Sequence, residues 1–303
     1  MRCLLISSFC AASHVGSVAS AFVMRRLGVD VCVLPTTLFG RHPGWGAPGG
    51  GVTDPAQLRS MWEGVRAQMS EHGLHFSAVM TGYMGATEHV ALAADIIDAL
   101  SPAHVLVDPV MGDWGDWGDW GDEGDGGLYV PEDRAEAICD LLVPRAQIVT
   151  PNAWEWRYIT GSLDEPRDAP PRPLAGTRET LVTSVMEGVT SVTEGVTSVT
   201  KGVTTVTDGA RIGAICFHAG DAHSVMHERF DGMPNGGGDA LAGAYLARRL
   251  LGLEPGAALQ RSVGEVFALM RRADALDAGE LPLARAQDVF DGTDPLPLQS
   301  KAI

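Results

Sequence analysis

The sequence predicts an α/β protein, a three-layer α/β/α sandwich with a mostly parallel central sheet. Three observations lead there. Short β-rich runs alternate with helical patterns through the first half of the chain, and repeated βα units of this kind build a parallel sheet covered by helices on both faces. The 303 residues are 45% hydrophobic, enough for a full core in one large domain. No uninterrupted apolar run approaches the roughly 18 residues that a membrane-spanning helix needs.

Taken in order, residues 3–7 read as a strand and 15–27 as a helix ending at Gly28. Residues 29–34 and 77–80 continue as strands, followed by helical patterns at 55–71 and 87–100 respectively. A strand at 105–107, a helix at 131–142, a strand at 147–149 and a helix at 152–160 complete the alternation. Further β-rich runs fall at 180–185, 211–217 and 223–230, with helices from Ala240 onward. In such sheets ligands gather beyond the carboxyl ends of the strands. Ser8, His42, Tyr83, Asp108 and Asn152 fall at those ends.

The first 21 residues imitate a secretory signal, with Arg2, an apolar run and Val-Ala-Ser-Ala. Ser7, Ser8, His14 and Ser17 break that run, so a strand and a helix are the better reading. Five scattered cysteines without paired spacing read as buried free thiols in a reducing cytoplasm. A net charge of −16 and a pI near 4.8 argue against nucleic acid or an anionic membrane as the main partner.

Two segments are repetitive. Residues 113–122 form a Trp-Gly-Asp triplet array, too rich in glycine for a helix, which reads as an exposed loop. Residues 182–209 are four heptads of Val, Thr and one Gly per repeat, a composition that opposes helix and suggests short β segments with Gly turns. The chain is expected to be one domain over 1–303, with an enlarged loop at 113–127 and an inserted repeat at about 186–209.

The stretch Gly236-Gly237-Gly238-Asp239 runs straight into an apolar helix. Glycines let a backbone approach a ligand closely, and the unpaired N–H groups of a helix start favour an anion. A carboxylate placed there, Asp239, suits proton abstraction from a hydroxyl while the amides hold a phosphoryl group. The same local sequence also fits an ordinary helix N-cap.

Motifs spread in order along the chain make it resemble the pyridoxal kinases of the ribokinase superfamily. The opening Leu-Leu-Ile-Ser-Ser-Phe, His14-Val-Gly and Phe39-Gly-Arg-His-Pro-Gly-Trp-Gly46 look like that family's first strand, first helix and second-strand loop. Thr81-Gly-Tyr-Met-Gly85, Val107-Asp-Pro-Val-Met-Gly-Asp113, Leu128-Tyr-Val-Pro-Glu132, Val149-Thr-Pro-Asn-Ala-Trp-Glu155, Val182-Thr-Ser184 and Pro234-Asn-Gly-Gly-Gly-Asp239 continue it. The resemblance implies a ribokinase-like fold, transfer of the γ-phosphoryl group of ATP to the 5'-hydroxyl of pyridoxal, Mg2+ as cofactor, a homodimer and a cytoplasmic location. It makes Asp239 the general base and Gly236, Gly237 and Gly238 the anion hole. Ser8, His42, Trp45 and Tyr83 fall to the pyridine substrate. Asp113, Tyr129, Asn152, Thr183 and Ser184 fall to the nucleotide, with Asp108 and Glu155 for the cation, reached through water.

Departures from the family pattern bear on function. Gly237 stands where Thr is usual, and Pro43, which has no hydroxyl, follows His42 where Thr is frequent. The preference among pyridoxal, pyridoxine and pyridoxamine is left open by this. Two other readings are a hydroxymethylpyrimidine kinase of the same superfamily, which typically has Cys where Asp239 stands, and a vitamer- or nucleotide-binding paralogue without turnover.

Overall fold

A computed structural model describes residues 1–114, 126–165, 169–186, 211–230 and 234–303. Most of the triplet array, and every heptad residue from 187 on, lies outside the described residues.

The described elements are β1 (Arg2–Cys10), α1 (Ser17–Arg26), β2 (Asp30–Phe39), β3 (Gly50–Val52), α2 (Pro55–His72), β4 (Ala78–Thr81), α3 (Thr87–Leu100) and β5 (His104–Val107). A small hairpin, β6 (Gly112–Asp113) with β7 (Gly127–Leu128), precedes α4 (Glu132–Ala137), β8 (Ile148–Val149) and α5 (Ala153–Thr160). The chain then forms β9 (Glu179–Met186), β10 (Arg211–His218), β11 (Asp221–Glu228), α6 (Gly237–Leu250), α7 (Pro255–Ala275), α8 (Val289–Gly292) and β12 (Leu298–Ala302).

Ten strands form one sheet in the order β12-β11-β10-β9-β8-β5-β4-β1-β2-β3. Its centre, from β9 to β2, is parallel, while β10, β11, β12 and β3 add antiparallel margins. The chain runs outward from β1 to β2, then turns back to β4 on the other side of β1. That reversal is a topological switch point, where ligands bind in open α/β sheets.

Alternation along β1 explains the two outer layers. Cys3 and Leu5 face a core shared with α1, α6 and α7, whereas Leu4 and Ile6 face a second core shared with α2, α3 and α5. This is the expected α/β/α sandwich. Local sequence sets the helix ends. Asp54 accepts N–H bonds from Ala56 and Gln57 at the start of α2, with Pro55 as the first helical residue, and Gly73 closes that helix in the left-handed region.

Three expectations shift. β1 continues to Cys10 instead of stopping at residue 7, and β2 reaches Phe39, because parallel pairing of Phe9 with Leu38 and of Cys10 with Phe39 extends both strands past a bulge. The helix expected at 131–142 is α4 followed by a wider turn at Ile138–Leu142. Of the five thiols, all free, Cys3, Cys10 and Cys216 are buried while Cys32 and Cys139 are partly exposed. The first 21 residues form β1 and the start of α1, with Leu4, Leu5 and Ile6 in the cores. No helix among the described residues is long and apolar enough to cross a membrane.

Candidate active site

Gly236 sits at φ 92° and directly precedes α6. A side chain there would be strained, and a Cβ would lie 2.2 Å from the His14 carbonyl oxygen. Gly237, Gly238 and Asp239 make the first turn, so their N–H groups face outward from the helix start without intrahelical partners. Asp239 does not cap the helix. Its Oδ2 accepts a 2.8 Å hydrogen bond from the Gly16 N–H, contributed by the β1–α1 loop. The capping alternative raised by the local sequence is thereby set aside.

Burial pushes the Asp239 carboxyl up to about 6, against the opposing effect of the Gly16 amide. A carboxylate with that pKa is mostly ionised at pH 7 yet more basic than an ordinary Asp. Asp108, at the carboxyl end of β5, accepts a hydrogen bond from Thr150 at 2.9 Å. Burial, then the neighbouring charge of Asp239, push it up to about 8.

Glu155 is buried in the first turn of α5. Its two oxygens accept the N–H groups of Met111 and Asn152, each at 2.9 Å. Asn152 reciprocates as the helix cap through Trp154 and Glu155, a capping box. Its amide nitrogen donates to Gly112 at 2.8 Å, which fastens the β6–β7 hairpin to α5. The Asn152 side chain, expected to meet the nucleotide, is bonded to the backbone of Gly112, Trp154 and Glu155.

Asp113 accepts from the Trp114 N–H at 2.7 Å, and burial raises its pKa. Tyr129 follows the hairpin with its ring partly exposed, while desolvation of its hydroxyl, then the charges of Glu155, Asp113, Asp108 and Asp239, raise that hydroxyl's pKa. Thr183 and Ser184 occupy an irregularity in β9 opposite Ala214, with Ser184 at φ 56°. Thr183 donates its N–H to Pro151 at 2.9 Å, so this first heptad dipeptide lies beside Asn152.

The four carboxylates Asp108, Asp113, Glu155 and Asp239 form no ion pair with Lys or Arg among the described residues. Glu155 is raised well above its ordinary value by burial and then by the Asp108 charge. A donor set this acidic suits a hard divalent cation. No three His, Cys, Asp or Glu side chains converge as a metal cage among the described residues. The residues fit a cation held by one or two carboxylates, water and phosphate oxygens, as magnesium usually is.

On the other side of the switch point, the bulge in β1 falls at Ser8. Because β1 runs to Cys10, Ser8 lies inside the strand, with its hydroxyl against Gly16. The serine that lines a cavity here is Ser13. That cavity, about 640 Å3, is walled by Ser13, His14, Arg41, Trp45, Glu280 and Arg285, among others. Ser13 Oγ accepts the His42 N–H at 3.1 Å.

Trp45 is half-exposed and packs against the Gly279 backbone, where a Cβ would lie 2.5 Å from its ring. His42 accepts the Gly44 N–H at 3.2 Å, and burial lowers its pKa, which favours the neutral imidazole. Tyr83 is partly buried, and its hydroxyl takes a 3.4 Å hydrogen bond from Arg134. The site thus spans the sheet, with polar and aromatic groups above β1, β2 and β4 and carboxylates above β5, β8 and α6.

The sequence model of the phosphomethylpyrimidine kinase family matches residues 57–284. The chain belongs to this family. A similar curated protein of Leifsonia xyli subsp. xyli, named pyridoxal kinase PdxY, is 28% identical over 296 residues, covering 96% of this chain and 95% of that protein. Among solved structures, the pyridoxal kinase of Entamoeba histolytica superposes with a TM-score of 0.77 at 17% identity, over 99% of each chain. A putative phosphomethylpyrimidine kinase of Bacteroides thetaiotaomicron, crystallised with pyridoxal, superposes with a TM-score of 0.74 at 18% identity, over 100% of this chain and 99% of the other. The family member described here has the ribokinase-like fold.

Proposed function

We propose that this chain is an ATP-dependent pyridoxal kinase. The observation that carries the reading is Asp239, an acid with pKa near 6, held by Gly16 beside the free amides of the α6 start. The named pyridoxal kinases that are similar along nearly the full chain support the same substrate. Asp239 accepts the proton of the 5'-hydroxyl as that oxygen forms a bond to the γ-phosphorus and the bond to the ADP oxygen breaks. The amides of the Gly236–Asp239 turn stabilise charge on the phosphoryl oxygens. Mg2+, when bound with the nucleotide near Asp108 and Glu155, neutralises part of the phosphate charge.

Ser8, His42, Trp45 and Tyr83 orient the pyridine ring. Asp113, Tyr129, Thr183 and Ser184 face the nucleotide, and Asn152 shapes that side. We further infer a single domain over residues 1–303, a homodimer and a cytoplasmic location, as the sequence led us to expect.

The family model's description, phosphomethylpyrimidine kinase, favours a pyrimidine as the second substrate, for which hydroxymethylpyrimidine is the probe. One assay separates the two. Purified protein and Mg-ATP are given pyridoxal or hydroxymethylpyrimidine in parallel, with pyridoxal 5'-phosphate read by absorbance. Product from pyridoxal, lost in Asp239→Asn, supports the proposal. Turnover of the pyrimidine alone, or of neither, refutes it.

A further inference from the structure

One short segment after α7 touches both halves of the catalytic turn. Glu280 Oε2 accepts the backbone N–H of His14 at 2.8 Å. The His14 ring then donates from Nδ1 to the Leu281 carbonyl at 2.7 Å, so two consecutive residues grip one residue of the β1–α1 loop. Two positions further along that loop, Gly16 donates the 2.8 Å bond that holds Asp239. The same segment reaches the other side of the turn. Gly279 accepts the N–H of Asn235 at 2.9 Å, and Asn235 pairs with Glu280 as a short parallel bridge directly before Gly236. Gly236 in turn lies against the His14 carbonyl.

These contacts close a ring, from Glu280 to His14, Gly16, Asp239, Gly236 and Asn235, and back to Gly279. Three glycines in succession leave the turn little intrinsic stiffness. The ring supplies it from outside. We propose that Glu280 is a positioning residue that sets the geometry of Asp239 by fixing the loop that carries Gly16. The proposal rests on the kinase reading, in which Asp239 meets the substrate hydroxyl. Glu280 itself works through the loop, since its carboxylate bonds to the His14 amide. Its charge also reaches Cys10 and His42, and Cys10 lies within electrostatic reach of Asp239.

The pair Glu280→Ala and Glu280→Gln separates positioning from charge. Gln keeps an acceptor oxygen for the His14 N–H and loses the charge; Ala loses both. Misplacing a reacting group by even 1 Å costs roughly 10²-fold in rate. The expected result for Glu280→Ala is a tenfold or greater fall in kcat, KM for ATP within about twofold, and an acid limb of the rate profile moved to higher pH, because the Gly16 bond lowers the Asp239 pKa. Glu280→Gln should restore kcat and the limb.

Amide hydrogen exchange of residues 12–20 and 234–240 is read on the same proteins without substrate. Glu280→Ala should lose protection in both segments and Glu280→Gln should keep it. An Ala variant with an unmoved limb, undiminished kcat or unchanged exchange overturns the proposal, as does a Gln variant as impaired as Ala. If the unaltered protein does not phosphorylate pyridoxal, the kinase reading fails, and the exchange data alone decide whether Glu280 fixes the loop.

Discussion

The pH dependence of turnover tests Asp239 most directly. Its carboxyl is pushed from 3.8 up to about 6 by burial, with the Gly16 amide pulling the other way. As the base, Asp239 works only when ionised, so a raised pKa means that activity is lost as pH falls through about 6. At pH 5 an acid of pKa 6 is roughly one-tenth ionised, whereas an ordinary Asp is still more than about nine-tenths ionised. The expected profile of kcat is therefore flat above about pH 7 and falls about tenfold for each pH unit well below 6. The assay is pyridoxal 5'-phosphate formation at saturating Mg-ATP and pyridoxal between about pH 5 and 8, repeated with Asp239→Asn. That variant should lose on the order of 10²–10⁴-fold in kcat, and its residual rate should lack the limb. A limb that persists unchanged in Asp239→Asn belongs to the substrates, and a wild-type rate that stays flat to pH 5 refutes the assignment of the base.

Asp108→Asn separates stability from function. The folded pKa of about 8 exceeds the unfolded value near 3.8, so the folded state binds the proton more tightly and stability falls as pH rises between them. The variant should melt higher than the natural protein at pH 8 in the absence of nucleotide, by thermal denaturation, while turning over more slowly. Gly236→Ala places a Cβ against the His14 carbonyl at a left-handed φ, which costs about 1–3 kcal/mol of strain; kcat should fall more than tenfold with the fold retained by circular dichroism. Far from the site, Glu179 is buried and accepts hydrogen bonds from Arg249 and Tyr245. Glu179→Ala leaves the Arg249 guanidinium without that partner and should cost about 3–5 kcal/mol, read as a lower urea midpoint.

The architecture was legible because hydrophobic periodicity is a local property. The β-rich runs at 3–7 and 105–107 and the helical patterns at 55–71 and 87–100 are set within a few residues and survive folding. The ends of strands were less legible, since they depend on partners. Nothing within residues 8–10 announces a strand; pairing with Leu38 and Phe39 makes one. Side-chain commitments are hidden for the same reason. Asn152 caps α5 through Trp154 and Glu155, a local commitment, whereas its bond to Gly112 depends on a hairpin 40 residues away. Glu280 gave no sequence signal at all, because its partner is the backbone of a residue 266 positions earlier.

Gly237 also takes on a physical meaning that its letter alone lacks. The family resemblance leads one to expect Thr there, and Gly removes a hydroxyl and adds backbone freedom. In the fold, a Cβ at Gly237 would lie 2.6 Å from the Met270 methyl of α7. The space of the missing side chain is thus taken by a flexible thioether from the neighbouring helix. Gly236 is braced by the His14 carbonyl and Gly237 by Met270, while Asn235 is tied to Gly279. A turn whose own residues specify little is held by three segments distant in sequence. Its rigidity is a tertiary property, and the chemistry assigned to Asp239 depends on it.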